Sequence, residues 1–594
     1  LYKYQRKEAR VRVKLAKKAG FCMGVRRAMD VTLKSISRHG RGLLTFGPLI
    51  HNPQVLDLLK GKGVEICQSP ALVGSNQAVI IRAHGIPPQE REALREKAGT
   101  VIDATCPRVL KVQSIIRKHT REGGFTIIVG DADHPEVVGL MGYAGGEGMI
   151  VSRREDVEKI PEGKKLCVVS QTTQNEARYE HIAQRIRERF PKARIHQTVC
   201  DSTQKRQDEA VKMAASVNAM IVVGGGNSAN TARLAELVRE SGIPVFQVET
   251  DDEIDPSWFR NLEVVGVTAG ASTPNWIIQR VVRKVEDIVP AGGTATLLFR
   301  IRQAVNLLVE SDFYGAFAAG CLSYVATNLQ NIPFRLAYFV IAMAYVYSMH
   351  ILNRFTDAEA GRLNDPSRAE FYEKHGPTLK GVGIASILFA LMISLFLGLP
   401  MFLFLLAASI VGVTYSLSFI PTGRLERVRY RRLKDIPGSK TLFIALAWAG
   451  VTTLTAPLST SFDLNLNLFA TFWIVAALVL IRSATFDLRD IQGDLIVGKE
   501  TIPIVLGKRQ TQRLLILLAS TAGAALLVLP LLGVLPYVSY GLMMGIFYIG
   551  YCLYLGFRRE LMRSAHLEIL IDGGFILEGL IVLIWLLLDL PLWA

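Results

Sequence analysis

The chain has 594 residues, half of them hydrophobic, with 7 cysteines and 68 Lys and Arg against 52 Asp and Glu, for a net charge of +16. That length exceeds what one hydrophobic core organises, so two or more domains are expected. Cysteines scattered through a long chain exclude a secreted disulfide scaffold and indicate a reduced compartment, and basic residues lying between apolar runs argue for cytoplasmic membrane loops over nucleic-acid binding.

The opening stretch LYKYQRKEARVRVK has no apolar core and does not resemble a signal peptide. Leu1 in place of Met marks a missing or processed start. Up to about residue 290, charged helices alternate with short apolar strands, and three segments repeat one order of strand, turn with cysteine, then helix. VRVKLAKKAGFCMGVRRAMDVTLKSI holds Cys22, TVIDATCPRVLKVQSIIRKH holds Cys106 and RIHQTVCDSTQKRQDEAVKMAA holds Cys200. The runs FTIIVG, LCVVSQTT, AMIVVGGG and LEVVGVTAG read as further strands, so a parallel sheet arrangement covered by helices is expected. Three such units would aim three cysteines at a common centre. Converging thiolates repel unless a metal centre takes them as ligands. Zinc with an open position, an iron–sulfur cluster with a free iron, and three unrelated buried cysteines all satisfy the spacing. Cys67 and Cys167 sit inside strand-like runs and read as core residues.

Between the cysteines, GPLIHNPQV holds His51, IRAHGIPP holds His84, and DADHPEVVG holds His134 with Glu136 two residues on. Each lies in a Pro- or Gly-containing turn after an apolar run. Histidines there can bind an anion and a neighbouring carboxyl can deliver a proton. IVVGGGNSANTARLAELV places Ser228 and Asn230 at a helix start, and GVTAGASTPNWIIQRVV does the same with Ser272. Anion binding and ordinary helix capping are equal readings of either segment.

Taken together, GFCMGVRRA, GPLIHNPQV, RAHG, DATCP, DHPEVVGLMG, QTT, NSAN and TAGASTP resemble, in order, the motifs of the 4-hydroxy-3-methylbut-2-enyl diphosphate reductase (LytB/IspH) family. The resemblance covers residues 11–288. It implies a [4Fe-4S] cluster on Cys22, Cys106 and Cys200, and diphosphate binding by His51, His84, Ser228, Asn230 and Ser272. It places His134 and Thr172 near the substrate and makes Glu136 the proton-delivering acid. Ala229 stands where many members have a second serine, which removes one side-chain contact. The implied reaction is reductive dehydroxylation of the allylic diphosphate to isopentenyl and dimethylallyl diphosphates. No flavin or nicotinamide motif is present, so a ferredoxin or flavodoxin is the expected electron donor.

From about 311 onward, apolar runs of roughly 17 to 23 residues recur, each able to cross a hydrocarbon core of about 30 Å. Nine spans are expected near 311–327, 334–352, 381–399, 401–419, 441–458, 467–482, 514–534, 537–556 and 573–592. Arg354, Arg362, Lys374, Arg427, Arg431, Arg432, Lys434, Lys499, Lys508, Arg558 and Arg559 all fall in alternate connections, which places those connections on the cytoplasmic side. Two of them carry carboxylates: ILNRFTDAEAGRLNDPSR, with Asn353, Asp357 and Asp365, and SATFDLRDIQGDLIVGKETIP, with Asp487, Asp490 and Asp494. Facing acid clusters would repel unless Mg²⁺ bridged them to a phosphate, and solvated loop charges are the plainer alternative.

This pattern resembles the UbiA family of intramembrane prenyltransferases. The resemblance implies Mg²⁺ and prenyl diphosphate at Asn353, Asp357, Asp490 and Asp494, an unknown prenyl acceptor, and assistance from Lys440, Arg354 or Tyr415. Gly361 stands where the first motif usually has its second aspartate. Substitution by Asp365, weaker metal binding and altered activity are the alternatives this leaves.

The sequence therefore predicts an N-terminal α/β domain (11–288) of three pseudo-symmetric modules around a central iron–sulfur cluster. A linker (289–310) follows, then an all-α polytopic bundle of about nine helices (311–594). The inner (cytoplasmic) membrane is the expected location, with the reductase domain in the cytoplasm. Competing readings are a non-catalytic membrane anchor for the C-terminal half and a zinc hydrolase on the three cysteines.

Overall fold

A computed structural model describes residues 11–39, 42–226, 228–259, 262–288, 297–416, 436–558 and 564–592. The chain divides into two compact units, Leu1–Gly293 and Thr294–Ala594.

Twelve strands are described in the first unit: β1 (Arg12–Leu15), β2 (Leu43–Phe46), β3 (Val64–Cys67), β4 (Ala78–Ile81), β5 (Thr100–Asp103), β6 (Phe125–Val129), β7 (Gly148–Val151), β8 (Leu166–Ser170), β9 (Arg194–Ile195), β10 (Ala219–Val223), β11 (Val245–Val248) and β12 (Val264–Ala269). They form three four-stranded sheets, β1-β12-β10-β11, β3-β2-β4-β5 and β7-β6-β8-β9, with every pairing parallel. Central strands such as β8 (LCVVS) and β10 (AMIVV) are buried at every residue, as expected where helices cover both faces. Cys67 and Cys167 lie buried in β3 and β8, the core role read from their context.

The sheets are cyclically linked. Cys22, Cys106 and Cys200 follow β1, β5 and β9, each an edge strand of a different sheet. After each cysteine, a helix (Met23–His39, Pro107–Arg121 or Asp201–Ala214) carries the chain to a strand of the next sheet. The third crossing returns to the sheet that β1 began.

Among the described residues of the second unit, eight helices are long and apolar enough to cross a membrane, including Leu336–Thr356, Pro366–Leu397, Ser439–Ser459 and Leu466–Val497. A ninth, Phe313–Leu329, occupies the first expected span but has only 17 residues and lies mostly inside the bundle. Residues 297–310, expected within the linker, form a helix. Large apolar side chains such as Phe396 (84% exposed) and Phe547 (72%) cover the outside, as a lipid-facing surface requires. Several buried charges inside the bundle are paired. The buried Asp312 carboxylate accepts from Arg354 Nη2 (2.9 Å), Arg368 Nη1 (3.2 Å) and Tyr372 OH (2.6 Å), and Arg482 pairs with Asp572. Arg427, Arg431, Arg432, Lys434 and Arg559 lie outside the described residues.

Candidate functional site

Each cysteine turn is tied by its backbone to the motif loop of its own sheet. Cys22 N–H donates to Ala271 O (3.1 Å), Cys106 N–H to Ala83 O (2.9 Å) and Cys200 N–H to Thr172 O (2.8 Å). Because those strands are parallel, the carboxyl ends of all three sheets, where ligands bind in open α/β folds, carry a cysteine beside a polar motif. The turns also meet one another. A Cβ on Gly24 would lie 2.5 Å from Cys106 Sγ, so only glycine lets the helix Met23–His39 start against that thiol. Arg108 bridges to Asp201 at 2.7 Å, linking the helices that follow Cys106 and Cys200. Burial pushes the Cys106 thiol up, and neighbouring Cys22 and Glu136 add to the effect.

A cluster fits this donor set. All three cysteines are half-buried at the starts of helices, whose N-termini favour thiolate charge. Among the described residues, the three side chains whose ligand atoms all lie within 4.8 Å of one another are His51, His84 and His134. Arg206 supports an anionic occupant. It is 4% exposed, its Nε and Nη2 donate to the carbonyls of Lys18 (3.0 Å) and Gly20 (2.7 Å), and its Nη1 has no partner. Cys22 and Cys200 are its principal charged neighbours. Sequence reasoning missed Arg206, whose only signal was its place in the helix led by Cys200.

The histidines converge. Ring centroids of His51 and His84 lie 4.7 Å apart, with His134 at 6.0 and 5.6 Å from them. Burial, reinforced by one another and by the nearby Arg82 guanidinium, lowers all three, His134 to about 4 and His84 well below its ordinary value. The rings are therefore neutral at pH 7. Glu136 N–H donates to His134 Nδ1 (3.2 Å), so the hydrogen-bond network assigns the proton to Nε2 and makes that nitrogen a donor. His84 Nδ1 is buried without a partner.

Glu136 is 2% exposed and held from two directions by Thr172, whose N–H (2.6 Å) and hydroxyl (2.9 Å) donate to its two oxygens. Burial outweighs those bonds and raises the carboxyl to about 7. Thr172 O is also the acceptor of Cys200 N–H, so acid, threonine and cysteine form one connected set.

Ser228 caps the helix Ala229–Arg239, its Oγ accepting from Thr231 N–H at 3.4 Å, and Asn230 Nδ2 is buried without a partner. Ser272 Oγ donates to His51 O (2.9 Å) and joins that loop to the histidines. Capping and an open donor thus coexist at this turn.

In the membrane unit, Asp357, Asp487, Asp490 and Asp494 gather around Lys440. Asp357 accepts from Lys499 Nζ (2.6 Å) with Lys440 Nζ at 3.8 Å, Asp487 from Thr441 (2.5 Å), Asp490 from Arg489 (2.6 Å) and Asp494 from Asn364 (2.9 Å). Asn353 Oδ1 accepts from Ser416 Oγ (2.9 Å). These oxygen donors suit Mg²⁺, and Lys499 would leave Asp357 to admit it. Lys440 lies at the cluster. Tyr415 stacks on Phe443 (4.6 Å) and reaches Ser439 (3.4 Å). Two expected helpers are placed elsewhere. Arg354 is bound to Asp312, and Asp365 caps the next helix, accepting from Arg368 N–H (3.2 Å) with Arg368 Nε 3.6 Å away.

Comparison with known proteins matches each half separately. The LytB protein family model matches residues 13–286, and the UbiA prenyltransferase family model matches residues 313–568. The chain is 42% identical over 273 residues to the 4-hydroxy-3-methylbut-2-enyl diphosphate reductase of Geobacter sulfurreducens, covering 96% of that protein and 46% of this chain. It is similar to a solved 4-hydroxy-3-methylbut-2-enyl diphosphate reductase (40% identity, all of that chain and 47% of this one, TM-score 0.39). A UbiA homolog from Archaeoglobus fulgidus bound to DMAPP and Mg²⁺ is also similar (15% identity, 99% of that chain and 48% of this one, TM-score 0.34). Through its N-terminal half the chain belongs to the 4-hydroxy-3-methylbut-2-enyl diphosphate reductase family, and its C-terminal half matches the UbiA prenyltransferase family model.

Proposed function

We propose that the N-terminal unit reduces 4-hydroxy-3-methylbut-2-enyl diphosphate to isopentenyl and dimethylallyl diphosphates, and that the C-terminal unit transfers a prenyl group from a prenyl diphosphate. The observation that carries the first reading is the connected set of Glu136, Thr172 and Cys200. It puts a buried acid, raised to about 7 and so able to hold a proton near neutral pH, next to a cysteine turn.

Cys22, Cys106 and Cys200 would hold a [4Fe-4S] cluster, which when bound supplies one-electron transfer and Lewis acidity. His51 and His84 would donate to the diphosphate together with Ser228, Asn230, Ser272 and the free N–H groups at the start of the helix Ala229–Arg239. Neutral imidazoles bind as hydrogen-bond donors and gain protons as the phosphate charge arrives, which strengthens the contact. His134, with Nε2 protonated, would face the substrate next to Thr172. Glu136 would deliver one proton to the hydroxyl, which leaves as water as the C–O bond breaks, and a second proton, taken from solvent, forms the new C–H bond on the allylic carbon. Two electrons from outside the chain complete the balance, delivered singly by a carrier of ferredoxin or flavodoxin type.

In the membrane unit, Asn353, Asp357, Asp490 and Asp494 would hold Mg²⁺, which neutralises the diphosphate as it leaves. Lys440 and Lys499 would add positive charge there, and an acceptor of unassigned structure would attack the allylic carbon. The positions of the basic connections support an inner-membrane protein with the reductase unit in the cytoplasm.

The test is an anaerobic assay of each activity in the full chain. Glu136→Gln should remove the reductase activity alone, and Asp494→Ala the transferase activity alone. Loss of both in either variant would contradict this division of labour.

A further inference from the structure

Gly361 opens a cavity. It lines a space of about 470 Å³ together with Arg354, Phe355, Arg362, Arg368 and Lys380, and a Cβ at this position would meet nothing within 4 Å. The opposite wall belongs to the 32-residue helix Pro366–Leu397, which leaves helical geometry at His375 (φ −109°, ψ 15°) just before Pro377. A proline there lacks the N–H and crowds the preceding turn, which bends the helix.

Depth follows from length. At 1.5 Å per residue this helix runs about 48 Å, well beyond a hydrocarbon core of about 30 Å. Residues 366–380 carry Arg368, Glu370, Glu373, Lys374 and Lys380, whereas 381–397 contain no charged residue. The cavity therefore lies at headgroup level, and the helix below it lies in lipid.

Its cations retain binding capacity. Arg368 is 3% exposed, its Nη1 and Nη2 fixed by Asp312 and Glu568, and its Nε stands 3.6 Å from the Asp365 carboxylate, so it forms a charged wall and not a free donor. Lys380 Nζ lies over the Phe355 ring at 4.5 Å. Arg362 pairs directly with Glu373 (2.8 Å), but the two side chains are 66% and 58% exposed, and such a surface pair is weak enough to be shared with a second anion. Below Lys380, Ile384 and Leu388 continue the same i, i+4 stripe and are 61% and 60% exposed.

We propose that this cavity binds the phosphate of an anionic phospholipid. Lys380 and Arg362 contact the phosphate oxygens, and an acyl chain lies along Ile384 and Leu388. The apolar stripe directly beneath the cations favours a lipid over free phosphate. Basic recesses between membrane helices on the cytoplasmic side bind headgroups in this way. The proposal requires only the membrane unit and is independent of its enzymatic activity.

The experiment is native mass spectrometry of the full-length protein from detergent containing equal phosphatidylglycerol and phosphatidylcholine. The wild type should retain phosphatidylglycerol preferentially. Lys380→Ala and Arg362→Ala should each reduce that retention about fivefold, and Gly361→Phe should abolish it with every cation in place. Thermal unfolding in the same detergent identifies any variant that fails to fold. Equal retention of the two lipids, retention unchanged in the folded variants, or displacement of phosphatidylglycerol by inorganic phosphate would each overturn the proposal.

Discussion

In the N-terminal unit, His84 Nδ1, Asn230 Nδ2 and Arg206 Nη1 are buried without partners. In the membrane unit, Asp357, Asp487, Asp490 and Asp494 are each engaged by a neighbouring side chain. The contrast has a physical cause. Turns at the ends of parallel strands are fixed by backbone hydrogen bonds, so their side chains can point open donors at an anion. Carboxylates gathered at the edge of a bilayer would repel strongly in a low dielectric, so they are held against lysine, arginine, threonine and amide groups. One site is prepared by leaving donors vacant and the other by holding its charges in reserve.

The largest effect that tests this contrast is expected at the cysteines. Cys106→Ala should abolish both the brown absorbance and the reductase activity, while prenyl transfer persists, measured on the same preparation. Glu136→Gln should retain the absorbance and lower the reductase rate by about 10²–10⁴-fold, the usual contribution of a positioned acid. An unchanged rate would remove Glu136 from proton delivery. In the other half, Asp494→Ala should lower prenyl transfer by about 10²–10³-fold, the scale of losing one preorganised electrostatic contact.

Smaller effects sharpen the contrast. Lys499→Ala removes the cation bound to Asp357, so half-saturation of prenyl transfer should occur at lower Mg²⁺; a higher requirement would show that Lys499 serves the phosphate instead. In the N-terminal unit the proposed role of Glu136 requires its protonated form, so the rate should fall as pH rises through about 7. Thr172→Val removes the hydroxyl bond that favours the carboxylate, and the alkaline limb should therefore move to higher pH. A limb moving lower would reverse the assigned cause.

Much of this was legible locally. Strand–turn–helix order around Cys22, Cys106 and Cys200, and the burial of Cys67 and Cys167, follow from short runs of residues. The cyclic closure was not, because the pairing of β1 with β12 joins Arg12 to Val264 and no local pattern encodes so distant a partner. Arg206 and Arg82 were missed for the same reason, each being one arginine among many until the fold seals it beside a site. In the membrane unit, apolar runs mark only the hydrocarbon depth. The helices Pro366–Leu397 and Leu466–Val497 extend well past the spans near 381–399 and 467–482. Arg354 and Asp365 sit within the first acidic segment by sequence, yet Asp312 and a helix cap claim them.

The most direct test of the central claim is anaerobic purification of the full chain, followed by its absorption spectrum and assay on 4-hydroxy-3-methylbut-2-enyl diphosphate with a chemically reduced donor. The account predicts a brown protein that releases isopentenyl and dimethylallyl diphosphates. A protein that stays colourless and inactive after cluster reconstitution would contradict it.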